Sequence, residues 1–504
     1  MTMTPCSRRV RNEDGVALVL TLLLMMALST AASSLMFLSQ SETYASLNYR
    51  LMSQARYGAE AGVQKTMNHL INTYTPPTTG GADALASYNM TVSPVTFNGA
   101  PVVLSGDGTV ASNYPVGAVQ AAFSAAAQGT LPSGNTSVAY AASATLLSMQ
   151  QVNVYGGGVQ TIQTWRIRSG GSIPTGRTGQ VEVTAIVETQ KVSATMYAAF
   201  ATSPGCGALT FSGNSATDSY DSAAALVGGN PVLASSSGNV GTNGNLGESG
   251  NATINGSLST PRIGVGACDA GNVDALSQAG NATVTGGVIQ LPHAVVLAPP
   301  LPPNPLPPTG NVNINNGASC ASLGLVAPAT CAGANGDFTI DPHGSTVSLG
   351  SLSLTGGANV TLIGGTYNIN SISFAGNSTF TVSAGTGPVI VNIAGKTAAG
   401  GDLATPLDFT GGSISNASFD PSQLQIRYAG AGTVKLSGGS QSAALIYAPG
   451  AEAIFAGGGD FYGSVVGRTV TDTGGARIHY DRRLNSSFFV AGNPMMTSFG
   501  WSKY

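Results

Sequence analysis

Charge is scarce in this sequence. Only 8% of its 504 residues are Asp, Glu, Lys or Arg, against about 25% in a typical soluble domain. The net charge is −3 and no basic tract occurs, so the positive surface needed for binding nucleic acid is missing. The polar surface must consist mainly of Ser, Thr, Asn, Gln and backbone groups. Together with 68 glycines, this composition favours an extracellular, tightly wound β structure over a cytosolic enzyme.

Familiar catalytic and metal-binding motifs are also lacking. The sequence contains no nucleophile elbow, P-loop or HExxH motif, and its Cys and His residues lack zinc-ligand spacing. Two weak candidates remain. His479 and Asp481 share one face of a predicted strand, and Asp218 and Asp221 in "DSYDS" offer oxygen ligands for Ca²⁺. Structural hydrogen bonds are the favoured interpretation of both, so we expect no catalytic residue, no metal and no cofactor.

Cysteine is rare, with five residues in the chain. Cys6 precedes a long apolar run, and the other four lie far beyond it. An even number on the exported side predicts two disulfides. Cys320 and Cys331 are the easier pair because they close a short loop, which leaves Cys206 with Cys268. Free buried thiols are the alternative.

The apolar run is the strongest feature that is present. No charge occurs from Gly15 to Ser41, and Val16 to Leu38 is long enough to span a bilayer as a helix. Arg8, Arg9 and Arg11 precede it, which predicts a cytoplasmic N-terminus.

An apolar stripe continues beyond the run with mostly three- or four-residue steps. Its members are Leu35, Leu38, Leu47, Leu51, Ala55, Ala59, Gly62 and Val63. This pattern predicts one helix from Val16 to about Tyr74, apolar all round at first and amphipathic later. A secretory signal peptide would end near the small residues Ser29–Ser33. A plain membrane anchor would explain only the first half of the helix.

Two stretches carry a family resemblance. "GVALVLTLLLMMALS", from Gly15, and "NYRLMSQARYGAEAGVQKTMNHL" resemble the N-terminus of PilX-type minor pilins, with the "G-x-A-L-[VI]" start at Gly15–Val19 and "A-E-A" at Ala59–Ala61. The resemblance implies that a prepilin peptidase cuts after Gly15 and that Val16 becomes the methylated N-terminal residue. It also implies that the apolar helix leaves the membrane to pack into a filament core.

The sequence departs from the pattern of bulk pilins at one position. Those carry a glutamate five residues after the cut, where this chain has Leu20. In the family this acid is assigned to pairing with the N-terminal amine of the subunit ahead, so Leu20 implies a minor or tip subunit. Glu60, in "AEA", is either a filament contact or an ordinary solvated helix residue.

The region after the helix reads partly as antiparallel sheet. "TYTPPTTGGADA", from Thr73, ends the helix with Pro and Gly. Val159–Ser169 and Gly179–Gln190 are β-branched and partly alternating, which predicts two strands of a sheet packed on the helix. Trp165 is expected in its core. Residues 105–147 give no clear assignment.

From Phe211 onward the chain repeats short alternating strands that end in glycine. Glycines return after 20 residues (Gly356 to Gly376), 19 (Gly438 to Gly457) and 17 (Gly457 to Gly474), which predicts a parallel β-helix, a solenoid of coils of roughly 17–22 residues. The Pro-rich segment 297–310 is expected to be an extended strap across the coils. A flexible linker between two β domains is the alternative.

This body carries a resemblance as well. "SGNSATDSYDS" (Ser212–Ser222) and the block from Ala444 to Asp481, which ends in "GGARIHYD", are similar to a Gly-rich domain often fused to PilX-type N-termini. The activity of that domain is not established, so no catalytic residue can be transferred from it.

The predicted fold is mainly β with one long N-terminal α-helix: a pilin-like helix and antiparallel sheet, followed by a parallel β-helix. The predicted divisions are a leader (1–15), the helix (16–75, its first ~23 residues transmembrane), an antiparallel region (76–200), the β-helix (201–490, with the strap at 297–310) and a C-terminal tail (491–504).

The expected function is that of a minor pilin-like subunit of a type IV pilus or related filament, and not of an enzyme. The chain would first be anchored in the inner membrane and later displayed on the pilus or cell surface. Expected partners are other pilins, the prepilin peptidase and the inner-membrane assembly platform, with no nucleic acid. Surface glycans would contact aromatic residues such as Tyr447, Phe461 and Tyr462, unless these lie in the core. The rival functions are a membrane-anchored carbohydrate-active enzyme, which needs converging carboxylates, and a surface protein with no filament role.

Overall fold

The computed structural model describes residues 14–78, 81, 83–133, 136–173, 179–269, 271–383, 385–439 and 441–503. The chain forms two compact units. Unit 1 comprises the chain up to Met149, Gln163–Glu188 and the chain from Pro494 onward, and unit 2 comprises Gln150–Ile162 and Thr189–Asn493. One long helix is followed by many strands, so the predicted fold class is confirmed.

The long helix, α1, runs over Asp14–Asn72 and contains 59 residues, or about 88 Å at 1.5 Å per residue. Its apolar first part is exposed on every side, and the helix is long and apolar enough to cross a membrane. The hydroxyl groups of Thr21 and Thr30 each donate to the carbonyl four residues earlier. These two hydroxyl donors are therefore satisfied within the helix itself.

The second half of α1 packs on an antiparallel sheet in unit 1, whose strand order is β3–β5–β6–β7–β33, with β4 on β5. The strands up to this sheet are β1 (Thr96–Phe97), β2 (Ala100–Pro101), β3 (Val103–Ser105), β4 (Gln128–Ser133), β5 (Thr136–Asn153), β6 (Val159–Ile173) and β7 (Gly179–Ser193), and the last strand of the chain is β33 (Phe489–Lys503). A second helix, α2 (Gly117–Ala127), contributes Phe123 to the same core. The predicted antiparallel pair is confirmed as β6 and β7, and Trp165 is 3% exposed in the core.

Glycine allows α1 to approach this sheet closely. A Cβ on Gly171 of β6 would lie 2.6 Å from the Ala59 amide nitrogen and closer still to the Ala55 carbonyl oxygen. On the helix side, a Cβ on Gly62 would lie 3.1 Å from the Tyr140 ring. Such distances leave no room for a methyl group. The contact between helix and sheet therefore depends on these glycines.

Unit 2 is built from short strands that pair in parallel with strands one turn of the chain away. They are β8 (Ala199–Ala201), β9 (Leu209–Phe211), β10 (Ala216–Tyr220), β11 (Val240–Thr242), β12 (Leu246–Glu248), β13 (Thr253–Ile254), β14 (Leu258–Thr260), β15 (Leu276–Gln278), β16 (Thr283–Val284), β17 (Val288–Gln290), β18 (Asn311–Ile314), β19 (Thr330–Ala334), β20 (Asp337–Asp341), β21 (Thr346–Leu354), β22 (Asn359–Leu362), β23 (Gly365–Phe374), β24 (Ser378–Val382), β25 (Val389–Ile393), β26 (Leu407–Asp408), β27 (Gly412–Ser415), β28 (Leu424–Tyr428), β29 (Val434–Leu436), β30 (Ser442–Phe455), β31 (Gly459–Asp472) and β32 (Ala476–Asp481). We call this region, Ala199–Asp481, the parallel coil. Short 3₁₀ helices occur at Leu85–Ser87, Cys320–Leu323, Pro421–Gln423 and Arg482–Ser486.

The glycine spacing corresponds to the strand register. Leu354 pairs with Phe374, Leu436 with Phe455, and Phe455 with Asp472, which reproduces the returns of 20, 19 and 17 residues. Alternate side chains point inward and stack. One such stack is formed by Phe338, Val360, Phe380 and Ile414, all buried. Other turns are longer: Leu246 pairs with Leu276, and Phe380 with Ile414.

The order of turns along the parallel coil differs from the order in the chain. β8 pairs in parallel with β11 on one side and with β31 on the other, so that Ala199 lies between Val240 and Val465. The first strands of the coil, β8 to β10, therefore lie in its middle, and the strands up to β17 form the turns on one side of them. The strands from β18 onward form the turns on the other side. The last of these, β31 and β32, pair with β8, β9 and β10.

The Pro-rich segment 297–310 connects β17 to β18. Near its start, Val295 exchanges two hydrogen bonds with the Asn243 side chain, at 2.7 and 2.9 Å. The Tyr447 hydroxyl donates to the Ala298 carbonyl at 2.7 Å, and the Asn368 amide donates to the Pro305 carbonyl at 3.3 Å. The residue after β11, strand β30 and strand β23 provide these partners, so the segment contacts several turns along the parallel coil.

Both predicted cysteine pairs lie at disulfide distance. The Cα–Cα separation is 5.9 Å for Cys206 and Cys268 and 5.7 Å for Cys320 and Cys331. Cys6 lies outside the described residues. Residues 491–504, expected as a tail, lie largely in β33, which forms the edge of the unit 1 sheet.

Candidate functional site

The family-like motifs of the Gly-rich body meet where the parallel coil closes. β10, from "SATDSYDS", pairs in parallel with β32, from "ARIHYD", and the register places Asp218 beside His479. His479 Nδ1 lies 2.5 Å from Asp218 Oδ1, and its Nε2 lies 3.0 Å from Asp460 Oδ1 on β31. The imidazole therefore joins three strands from two distant parts of the chain. We call these three residues the closing triad.

The closing triad favours a charged imidazole. His479 is 1% exposed, and this burial by itself lowers the pKa of the imidazole. The hydrogen bonds and negative charges of Asp218 and Asp460 outweigh burial and raise the pKa above its ordinary value of 6.5. Protonated on both nitrogens, the ring donates to both carboxylates. The Tyr462 ring lies against it, with centroids 4.7 Å apart.

The pairing of His479 with Asp481 proposed from the sequence is not formed. Asp481 is fully buried and accepts hydrogen bonds from the Ser222 amide and hydroxyl and from the Arg483 amide. Burial raises the pKa of this carboxyl. The two side chains share a strand face as expected, but they do not bond to each other. His479 bonds to β10 and β31, and Asp481 bonds to the residues that follow β10 and β32.

The "DSYDS" carboxylates are also engaged separately. Asp218 belongs to the closing triad, whereas Asp221 accepts from the Ala223 amide at 2.9 Å. Within the described ranges, no group of three or more His, Cys, Asp or Glu side chains has the arrangement of a metal site.

The aromatic residues considered for glycan contacts lie in the core. Tyr447 is fully buried, Phe461 is 1% exposed and Tyr462 is 5% exposed. Tyr462 packs edge-on against Tyr220 and Phe419, and the Tyr220 hydroxyl donates to the Phe419 carbonyl at 2.6 Å. Of the two interpretations offered by the sequence, the core one therefore holds for these three residues. Phe461 packs in the interior of the parallel coil, whereas Tyr447 and Tyr462 pack in separate clusters under segments that cover the coil.

The closing triad has a structural role, because its hydrogen bonds hold β10, β31 and β32 together. Both ring nitrogens of His479 face carboxylates, so neither is free to take a proton from a substrate. Sequence reasoning missed Asp460, although the 17-residue return places Tyr462 beside His479. Asp460 is two residues earlier in the same strand and therefore on the same face.

The second region of functional interest is the N-terminal helix. Val16 and Leu20 are exposed on α1, which begins before Gly15. Glu60 forms an ion pair with Arg56 one helical turn earlier, at 2.7 Å. Its role as a filament contact stays a prediction. The leader up to residue 13 lies outside the described residues.

Two family profiles match the chain. Residues 14–64 match the PilX N-terminal family, and residues 345–487 match a domain of unknown function, DUF7305. The first match covers most of α1, and the second covers much of the parallel coil, including His479. No curated protein shows significant sequence similarity to the chain.

One similar solved structure is that of the competence-associated pilin ComZ from Thermus thermophilus. It shares 13% identity and aligns over 90% of this chain and 98% of that chain, with a TM-score of 0.22. At so low a TM-score the likeness carries no information about a common fold.

The N-terminal match confirms the resemblance found in the sequence: residues 14–64 form a PilX-type N-terminal segment, of the kind found in pilin-like proteins of type IV pili, and residues 345–487 match a domain family of unknown function.

Proposed function

We propose that this protein is a minor subunit of a type IV pilus or related filament, processed after Gly15 and methylated on Val16. The observation that carries the proposal is the division of α1. The PilX-type match spans both halves. The first half of the helix is exposed and apolar, whereas the second half contributes Ala55, Ala59 and Val63 to the core of unit 1. A membrane anchor alone has no need of the packed half. A subunit that moves from bilayer to filament needs both.

Position and partners follow from the same helix. The arginines of the leader favour a cytoplasmic N-terminus in the inner membrane, where the prepilin peptidase and the assembly platform would act. Leu20 offers no carboxylate to the amine of a subunit ahead, which supports a place at the tip or in low copy number among other pilins.

The parallel coil, which we propose is a β-helix, would be displayed outside the cell for adhesion or for priming assembly. We propose that it acts without catalysis, because both ring nitrogens of His479 and the carboxylates of Asp218 and Asp481 are engaged in hydrogen bonds within the fold. The rivals remain an anchored carbohydrate-active enzyme and an anchored surface protein without a filament.

The test of processing is mass spectrometry of the N-terminus of the protein isolated from its native cells. The expected N-terminus is Val16 with one methyl group, and Gly15→Val should abolish the cut. Ala45→Val, at an exposed position of the same helix away from the leader, is the matched control for processing. An intact leader, or an N-terminus near Ala32, would contradict the proposal.

The test of position is immunogold labelling of sheared filaments. Label is expected at filament ends or at rare sites. Leu20→Glu should increase the number of labelled sites along the shaft, because the new carboxylate can pair with the amine of a subunit ahead. Uniform labelling of wild-type filaments would contradict a tip or minor position.

A further inference from the structure

A cavity of about 420 Å³ lies on the unit 1 sheet. Side chains alternate along β6, so that Trp165 and Ile167 enter the core beneath α1 while Arg166 and Arg168 point to the opposite face. The segment after β3, with Asp107, forms part of the wall. The cavity therefore lies on the side of the sheet that faces away from the helix.

Arg166 is the unusual member of the cavity. Its Nε atom is buried without a hydrogen-bond partner, and the guanidinium makes no ion pair with any described residue. A buried N–H donor without a partner is costly. An acceptor bound in the cavity would satisfy it.

The nearby carboxylates are already engaged. Glu182 accepts from Arg168 at 2.8 Å, and Asp107 accepts from the amide and hydroxyl of Thr109 at 2.9 and 2.8 Å. Arg168 offsets the charge of Glu182, whereas the neutral donors of Thr109 leave the charge of Asp107 in place, so the lining as a whole carries no net charge. Arg166 is the arginine of this lining that no described carboxylate pairs with, and it can pair with a single negative group of a ligand. A polyanion would also meet the Asp107 carboxylate.

The remaining polar side chains of the cavity are the Gln180 amide and several hydroxyls. Ser143 and Thr145 line it from β5, and neither side chain hydrogen-bonds to a described residue. Hydroxyls both donate and accept, as sugar hydroxyls do. Arginine binds a carboxylate through two parallel hydrogen bonds, and the cavity volume lies within the range of small-molecule sites.

We propose that this cavity binds a carboxylate-bearing sugar, a uronate residue, with its carboxylate on Arg166 and its hydroxyls on Ser143 and Thr145. The proposal goes beyond the function proposed above. It holds whether or not the chain enters a filament, since the cavity is formed within unit 1 alone.

The experiment is calorimetric titration of the full chain in detergent with galacturonate, galactose, acetate and a short neutral peptide with a free C-terminus. Galacturonate should bind, and galactose and acetate should each bind at least tenfold more weakly, because each lacks half of the contacts. Arg166→Gln should weaken galacturonate binding at least tenfold, which corresponds to about 1.4 kcal/mol. Arg468→Gln, an exposed arginine of unit 2, should leave it unchanged.

Three outcomes would overturn the proposal: no binding of galacturonate, equal binding of acetate or of the peptide, or full affinity in Arg166→Gln. Tryptophan fluorescence shows whether Arg166→Gln is folded. If it is not, Ser143→Ala tests the same site, with a loss of several-fold expected. Failure of filament assembly would leave these binding results unaffected, so the two proposals can be tested separately.

Discussion

Replacing Gly171 by alanine should disrupt the contact between α1 and the sheet of unit 1, whereas replacing the adjacent Gly170 should not. A Cβ at 171 would lie 2.6 Å from the Ala59 nitrogen and closer still to the Ala55 carbonyl. A Cβ at 170 would have its nearest neighbour, the Ala141 carbonyl oxygen, at 4.0 Å. The two glycines are thus a matched pair with opposite surroundings.

The expected magnitude follows from two terms. Both substitutions reduce the conformational freedom of the unfolded chain, which stabilises each variant by about 0.4–1 kcal/mol. Overpacking at Gly171 costs about 1–3 kcal/mol, because the obstructing atoms are helix backbone and cannot rotate away. Gly170→Ala should therefore be neutral or slightly stabilising. The two variants should differ in the free energy of unfolding by about 1–3 kcal/mol, since the shared term cancels.

Intrinsic tryptophan fluorescence during heating measures this difference. Trp165 and Trp501 are the only tryptophans of the chain, and both belong to unit 1. The signal therefore reports unit 1 without interference from the parallel coil. For a unit of this size, the difference corresponds to about 2–12 °C in the midpoint. Equal midpoints for the two variants would refute the close packing of α1 on β6.

Three further predictions concern the stability of unit 2. Because both tryptophans lie in unit 1, the unfolding of unit 2 is followed by far-UV circular dichroism. Because the pKa of His479 is raised on folding, its stabilisation is complete below pH 6.5 and is lost as pH rises through the folded pKa; His479→Gln should flatten this dependence above pH 6.5, and an unchanged slope would exclude the closing triad as its source. Replacing Cys206 by serine should destabilise by about 4 kcal/mol and replacing Cys320 by about 3 kcal/mol, from loops of 62 and 11 residues; guanidinium unfolding checks the order, and a larger loss for Cys320 would contradict it. Tyr447→Phe removes the hydrogen bond to Ala298 and should cost about 1 kcal/mol; a loss above 3 kcal/mol would mean that the ring packing had changed as well.

Local patterns in the sequence predicted much of the fold. The three- and four-residue steps of the apolar stripe gave α1 within a few residues of its ends. The glycine returns gave the register of three turns, two of them consecutive. These features are local because helix and turn geometry repeat over short distances. The missed elements lacked such a signal. α2 is short and rich in Ala, and β33 carries Gly500 and Pro494 in a mixed sequence.

The candidate site was predicted less well. His479, Asp218 and Asp481 were singled out as motif residues, but their pairing was assigned along one strand. In a parallel sheet the partners of a side chain come from neighbouring turns, which only the register supplies. Arg166 could not be singled out from the sequence, because the sequence around an arginine in a strand does not show whether its guanidinium will be paired with a carboxylate.

The sequence by itself determined the long helix, the PilX-type start, the spacing of the later turns and the two cysteine pairs. Only the tertiary structure decided that the chain enters the parallel coil in its middle and closes on itself through Asp218, Asp460 and His479. The physical reason is that Ala199 and Val465 pair across most of unit 2. The cost of closing so long a loop is offset only by all the intervening turns together.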